Sequence, residues 1–136
     1  MVQPTVCRRT EVAARPLVFV VDDDESMRES LPELLKELGF EARAFASAIE
    51  LLASDVLKRG EYLILDVAMP GMSGPELQLE LIRRGQDVPI IFITARGEDK
   101  IREEVLANGA VAYLLKPFTE LELTAALAAA AQRNRQ

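Results

Sequence analysis

Five short apolar runs, each followed by a stretch with helical periodicity, limit the folds that this chain can adopt. The runs are LVFVV (17–21), EARAFA (41–46), EYLILD (61–66), PIIFIT (89–94) and VAYLLK (111–116). Four of them are almost continuously apolar, as strands covered on both faces are, whereas EARAFA alternates in the manner of an edge strand. This order of strands and helices predicts an α/β fold: a parallel sheet with helices on both faces.

Cap and turn residues predict where the helices begin and end. Four hydroxyl residues each precede a glutamate by three positions, the pattern of a capping box, and glycine follows each of the first four helices. The pairs are Ser26–Glu29, Ser47–Glu50, Ser73–Glu76 and Thr119–Glu122, and the glycines are Gly39, Gly60, Gly85 and Gly109. The predicted helices lie near 27–38, 48–58, 74–84, 98–108 and 120–133. Pro32 falls inside the first, where it removes a hydrogen bond.

Composition excludes several classes of protein and site. A net charge of −6 argues against a nucleic-acid surface, which needs clustered Lys and Arg. A single cysteine, Cys7, and no histidine exclude an internal disulfide and a zinc site, so a bound metal must take oxygen ligands. No apolar run approaches the ~20 residues of a membrane span, and 1–16 lacks the apolar stretch that is typical of a signal peptide. We therefore expect a cytoplasmic protein with a flexible N-terminal arm over 1–15 and one domain over 16–133.

Chemically active side chains stand where four of the predicted strands end. They are Asp22, Asp23, Asp24 and Glu25 after the first, Asp66 at the third, Thr94 at the fourth and Lys116 at the fifth. Each has an ordinary explanation alone: acids at a helix start, a turn residue, a strand threonine, a surface lysine. Ligands of open parallel sheets bind beyond the carboxyl ends of the strands, so the combination favours one shared crevice.

These residue types suit phosphoryl transfer. Two carboxylates ~4 Å apart repel each other by about 4 kcal/mol at an effective dielectric constant near 20. A hard dication relieves that repulsion and also neutralises a phosphoryl group. A carboxylate can act as the nucleophile and form an acyl phosphate, while a lysine and a hydroxyl contact the phosphoryl oxygens. The acidic cluster, Asp66, Thr94 and Lys116 are thus a sensible phospho-aspartate site.

Four segments resemble the CheY-like receiver domains of response regulators, and in texture the FixJ-type receivers most closely. They are VVDDDESMR (20–28), LILDVAMPGMSG (63–74), IIFITARG (90–97) and GAVAYLLKPF (109–118). The resemblance extends over about residues 16–133. It implies a flavodoxin-like, doubly wound five-stranded parallel sheet in the order 2-1-3-4-5, with five helices, in a protein of a two-component phosphorelay.

Carried over by position, the resemblance assigns a role to most of these residues. Asp66 becomes the phosphoacceptor and Mg²⁺ the cofactor. The ion would be bound directly by Asp23, through water by Asp22, by Asp66 itself, and by the backbone carbonyl of Ala68.

The remaining matches concern the switch. Thr94 corresponds to a hydroxyl that turns toward the phosphoryl group, and Tyr113 to an aromatic residue that changes rotamer with it. Lys116 corresponds to the phosphoryl-binding lysine, and the Lys116–Pro117 peptide bond to one that is cis in the family. Asp24 receives no role, and we interpret it as a helix-start acid.

Ala68 and Arg96 occupy positions that modulate dephosphorylation in the family. Ala68 offers no side chain there. We expect Arg96 to approach the phosphoryl group or to screen the attacking water.

The resemblance implies a sensor histidine kinase, or a small acyl phosphate, as donor. The chain would be a signalling domain rather than an enzyme, catalysing only its own phosphorylation and dephosphorylation. Its output surface would be helix 4, strand 5 and helix 5, with a possible phosphorylation-dependent homodimer and no contact with nucleic acid or membrane. In helix 5, Leu121, Leu123 and Leu127 cover a wide face. We interpret this face as core, and a docking face is the alternative.

Two rival functions stay open. A haloacid-dehalogenase-like phosphatase would use Asp22 and Asp24, but it leaves Asp66 unexplained and lacks an acidic pair after Lys116. A pseudo-receiver would bind partners without phosphoryl transfer. A dinucleotide-binding domain needs a glycine-rich loop where this chain is acidic.

Overall fold

The computed structural model describes residues 15–54 and 61–134. The strands are β1 (Leu17–Val21), β2 (Glu41–Phe45), β3 (Tyr62–Asp66), β4 (Ile90–Thr94) and β5 (Ala112–Leu115). The helices are α1 (Glu25–Glu37), α2 (Ala48–Ala53), α3 (Gly74–Arg83), α4 (Asp99–Ala107) and α5 (Glu120–Asn134). Three predictions lie outside the described residues: the arm over 1–15 apart from Arg15, residues 55–58 of the helix predicted over 48–58, and Gly60. That helix is shorter than predicted, because it ends at Ala53 and the backbone of Ser54 is extended.

The strands form one parallel sheet in the order β2-β1-β3-β4-β5. This confirms the predicted flavodoxin-like topology with five helices. The continuously apolar strands β1, β3 and β4 are buried along their whole length, and β2 is a partly exposed edge. β5 differs from the expectation for a continuously apolar run, because it is the opposite edge of the sheet and is only partly buried.

The caps follow the sequence pattern with one correction. Ser47 and Ser73 cap α2 and α3, and Thr119 exchanges reciprocal hydrogen bonds with Glu122 at the start of α5. The predicted Ser26–Glu29 box is wrong. Asp24 caps α1 instead, because its carboxylate accepts the Ser26 N–H and the helix already begins at Glu25.

Two apolar layers fill the two faces of the sheet. Phe19, Leu65 and Phe92 pack beneath α2, α3 and α4, while Val20, Ile64 and Ile93 pack beneath α1 and α5. The inner face of α5 contributes buried residues to the second layer, namely Leu123, Ala126, Leu127 and Ala130. This confirms the core interpretation for Leu123 and Leu127. The same interpretation is wrong for Leu121, which is 79% exposed on the outer face of the helix. Within the described ranges, no helix is long and apolar enough to cross a bilayer.

Candidate functional site

The carboxyl ends of β1, β3, β4 and β5 meet at one edge of the sheet. Strand register places Asp66 beside Ile93, and Thr94 beside Leu115. A cleft of about 440 Å³ opens above these ends. Its lining residues are Asp23, Asp24, Asp66, Val67, Ala68, Thr94, Ala95, Arg96, Glu98, Ile101 and Lys116. The convergence expected from the sequence is therefore present.

A partly buried ion pair lies at the floor of the site. Lys116 Nζ lies 2.8 Å from Asp22 Oδ2 and 3.6 Å from Asp66 Oδ1. Asp22 is completely buried, and its other oxygen, Oδ1, accepts the Asp24 N–H at 3.0 Å. Both oxygens of this carboxylate thus have a donor, so the charge of Asp22 is stabilised although water does not reach it.

Three carboxylates form a cluster whose chemistry fits a hard dication. Asp22, Asp23 and Asp66 each offer an oxygen, and the three ligand atoms lie within 4.8 Å of one another. Asp23 is exposed and Asp66 is only 5% exposed, so the cluster joins solvent to the buried end of β3. Oxygen ligands of this kind suit Mg²⁺, which prefers carboxylates and retains several waters. The residues present therefore fit the ion that the resemblance implies.

Charge and burial perturb the two reactive groups of the cleft. Burial, followed by the nearby negative charge of Asp22, raises the pKa of Asp66 to about 7, against the attraction of Lys116. For Lys116, burial alone would lower the pKa. The hydrogen bond to Asp22 and the charge of Asp66 outweigh burial, so the pKa of Lys116 is raised. A protonated lysine therefore lies beside a carboxyl group whose pKa is raised.

Thr94 and Tyr113 both engage the β4–α4 loop. Thr94 is 3% exposed, and its Oγ1 donates to Arg96 O at 3.0 Å while accepting the Arg96 N–H at 3.2 Å. Tyr113 is half-buried, and its hydroxyl accepts the Glu98 N–H at 3.3 Å. Both predicted switch side chains are thus committed to backbone groups of one loop. The Thr94 hydroxyl therefore donates its hydrogen bond to that loop and not to Asp66.

The other predicted positions also lie at the cleft. Ala68 and Arg96 line it and are exposed. The Lys116–Pro117 bond is cis, as the resemblance implies. Hydrogen bonds from the Ser26 hydroxyl and N–H lower the pKa of Asp24. The Asp24 carboxylate thus serves as the cap of α1.

Two residues that support the site gave no signal in the sequence reasoning. Gly74 begins α3 so close to β3 that an added Cβ would lie 2.3 Å from the backbone oxygen of Asp66 and 3.1 Å from Phe92. Arg28 Nη1 donates to the backbone oxygen of Asp22 at 3.0 Å and holds the acidic loop against α1. A glycine at the first position of a helix can indicate close packing, but the sequence alone does not identify Asp66 as the neighbour of Gly74.

Comparisons with known proteins agree with this geometry. The family model of the response regulator receiver domain matches residues 18–128. Nodulation protein W of Bradyrhizobium diazoefficiens is 44% identical over 127 residues, which cover 93% of this chain and 56% of that protein. The solved structure of response regulator StyR has a TM-score of 0.79 at 42% identity, covering 90% of this chain and 64% of that chain. The crystal structure of FixJ-N has a TM-score of 0.77 at 33% identity, and the match covers 86% of this chain and 94% of that chain.

These matches confirm the resemblance to FixJ-type receivers. The chain spans about half the length of the curated relatives that it matches.

Proposed function

The chain belongs to the response regulator receiver domain family, and from that premise we propose that it accepts one phosphoryl group on Asp66. The observation that carries the proposal is the position of Asp66 at the end of β3. Its carboxylate is nearly buried, lies 3.6 Å from Lys116 Nζ, and shares an acidic cluster with Asp22 and Asp23. The donor is the phosphohistidine of a sensor histidine kinase or a small acyl phosphate, so the protein acts in the cytoplasm.

Asp66 acts as the nucleophile of the transfer. One of its carboxylate oxygens forms a bond to phosphorus, and the bond from phosphorus to the imidazole nitrogen or acyl oxygen of the donor breaks. The donor leaves with the electron pair of that bond. Lys116 supplies a fixed positive charge for the phosphoryl oxygens. Catalysis is limited to this transfer and to hydrolysis of the acyl phosphate, so the chain is a signalling domain.

Mg²⁺, when bound, supplies charge neutralisation for the carboxylates and for the transferred group. Asp23, Asp66 and the Ala68 carbonyl would bind it directly, and Asp22 through water. Asp22 also keeps Lys116 in place, because its Oδ2 accepts the lysine N–H at 2.8 Å. The exposed Arg96 lines the cleft, from where it approaches the phosphoryl group or screens the attacking water.

Phosphorylation then changes the contacts of Thr94. To donate to a phosphoryl oxygen, the Thr94 hydroxyl must give up its bond to Arg96 O, which is 3.0 Å long in this structure. The loop that Thr94 releases also carries Glu98, whose N–H is bound by the Tyr113 hydroxyl. A change at Thr94 therefore reaches Tyr113 through one short stretch of backbone, and a two-state coupling of ~1–3 kcal/mol is typical for such switches.

The output surface comprises α4, β5 and α5. Leu115 and Leu121 are 54% and 79% exposed on β5 and α5, whereas the opposite side of α5 is core. We assign these two exposed leucines to a phosphorylation-dependent contact with a second copy of the chain, which would form a homodimer. The chain itself does not contact nucleic acid, since its charge is −6.

Incubation with acetyl phosphate and Mg²⁺, followed by intact mass spectrometry, tests the proposal. Wild-type protein should gain the mass of one phosphoryl group, and Asp66→Asn should gain none. Asp99→Asn, which removes an exposed acid from α4, should be labelled like the wild type. Failure of wild-type labelling would favour a pseudo-receiver, and multiple turnover of a phosphate ester would favour a phosphatase.

A further inference from the structure

The two ends of α4 are held in different ways. At its N-terminal end the N-cap residue, Glu98, makes no side-chain cap bond within the described part of the chain. The Glu98 N–H donates instead to the Tyr113 hydroxyl, and the preceding backbone of Arg96 is bound by Thr94. This end of the helix therefore depends on the two proposed switch residues.

The C-terminal end of α4 is attached to the neighbouring helix. Val105 is completely buried, and its carbonyl oxygen accepts two hydrogen bonds. One comes from the Ala110 N–H at 2.9 Å and the other from Gln78 Nε2 at 3.0 Å. Gln78 belongs to α3 and is 2% exposed. Among the hydrogen bonds of the described residues, this side-chain anchor shares none with Thr94 or Tyr113.

The Gln78 amide cannot easily lose this contact. Among the described residues, its Oε1 is buried without a hydrogen-bond partner. A buried polar group without a partner is unfavourable because it has given up its bonds to water. If the Val105 carbonyl moved away, Nε2 would also be left unpaired, and both ends of one buried amide would be unsatisfied. The local energetics therefore oppose movement at this end of α4.

We propose that Gln78 is a positioning residue that fixes the C-terminal end of α4 and confines switching movement to the end near Glu98. The second half of this statement rests on the proposed function. The helix pivots about the Gln78–Val105 contact when Thr94 and Tyr113 change partners, so the output surface changes most beside the β4–α4 loop.

The anchor is tested first in the unphosphorylated protein by amide hydrogen exchange. Gln78→Met keeps the length of the side chain and removes its donor. The Ala110 N–H, which binds the same carbonyl, should exchange ~10-fold faster, whereas the Glu98 N–H should change by less than about twofold. Gln78→Leu, which also removes the donor, should give the same pattern and serves if the methionine variant folds poorly.

A control separates anchoring from loss of stability. Leu35→Ala removes a fully buried side chain of α1 in the opposite layer, so exchange should rise at both ends of α4 alike. Unchanged exchange at Ala110 in both Gln78 variants, or the same uniform rise as in Leu35→Ala, would overturn the anchor.

The pivot is tested with beryllium fluoride and Mg²⁺ as the phosphoryl mimic. In wild-type protein, changes in exchange should be confined to 96–101, and in Gln78→Met they should extend to 105–110. Equal changes at both ends of wild-type α4 would refute the pivot. A wild-type protein that does not respond to the mimic would count against the proposed function and against the pivot. The anchoring role of Gln78 is tested separately by the exchange of the Ala110 N–H in the unphosphorylated protein.

Discussion

Replacing Asp66 with Asn should stabilise the metal-free protein, and more so as the pH rises. The pKa of Asp66 is about 7 in the folded protein, and an unfolded aspartate has a pKa near 3.9. The folded state therefore binds the proton more tightly. This group contributes most to stability below about pH 4, and its contribution is lost as the pH rises through about 7.

The difference between the two pKa values gives the magnitude. Linkage predicts that Asp66→Asn increases the free energy of unfolding by about 2 kcal/mol at pH 5 and by about 4 kcal/mol at pH 8. Urea denaturation in the presence of EDTA at both pH values measures the gain. Glu103→Gln, which removes an exposed carboxylate from α4, should show no comparable rise. If the gain in the free energy of unfolding is the same at pH 5 and pH 8, burial and the charge of Asp22 do not raise the pKa of Asp66 to about 7.

Further predictions concern the residues around Asp66. Lys116→Met should abolish labelling by acetyl phosphate, as measured by intact mass. It should also lower the free energy of unfolding by about 3 kcal/mol in urea denaturation, because the fully buried Asp22 loses its partner. Gly74→Ala should destabilise the protein by more than ~1 kcal/mol and slow labelling, because its Cβ would lie 2.3 Å from the Asp66 backbone oxygen; a variant as stable as the wild type would contradict this contact. Mg²⁺ at 100 times its dissociation constant should raise the free energy of unfolding by about 2.7 kcal/mol in wild-type protein and much less in Asp23→Asn, as thermal denaturation can check. Leu121→Glu should leave labelling intact but prevent dimerisation, which light scattering measures. If wild-type protein is a monomer both before and after saturation with beryllium fluoride, the proposed dimer is wrong.

The sequence predicted the sheet well because its signals were local and repeated. Continuous apolar runs marked β1, β3 and β4, and their carboxyl ends placed the acids, Thr94 and Lys116 at a common edge. VAYLLK carries the same pattern, yet β5 is a partly buried edge strand. Apolar periodicity does not distinguish such a strand from one that is covered on both faces.

Contacts between elements distant in the sequence could not be predicted. Gln78 lies between the core leucines of α3, and nothing near it in the chain indicates that its amide reaches Val105. Ser26 fits the capping-box pattern, but the N-cap is Asp24, two residues earlier, whose carboxylate accepts the Ser26 N–H. The direction of the Thr94 hydroxyl depends on the path of the β4–α4 loop, and the residue type alone leaves that direction open.

The position of the label tests the central claim most directly. After incubation with acetyl phosphate and Mg²⁺, borohydride reduces an aspartyl phosphate to homoserine, and tandem mass spectrometry of the digested protein locates that residue. We predict homoserine at Asp66 alone, and its loss in Lys116→Met. Homoserine at Asp22 or Asp23 with Asp66 unmodified would contradict the site described here.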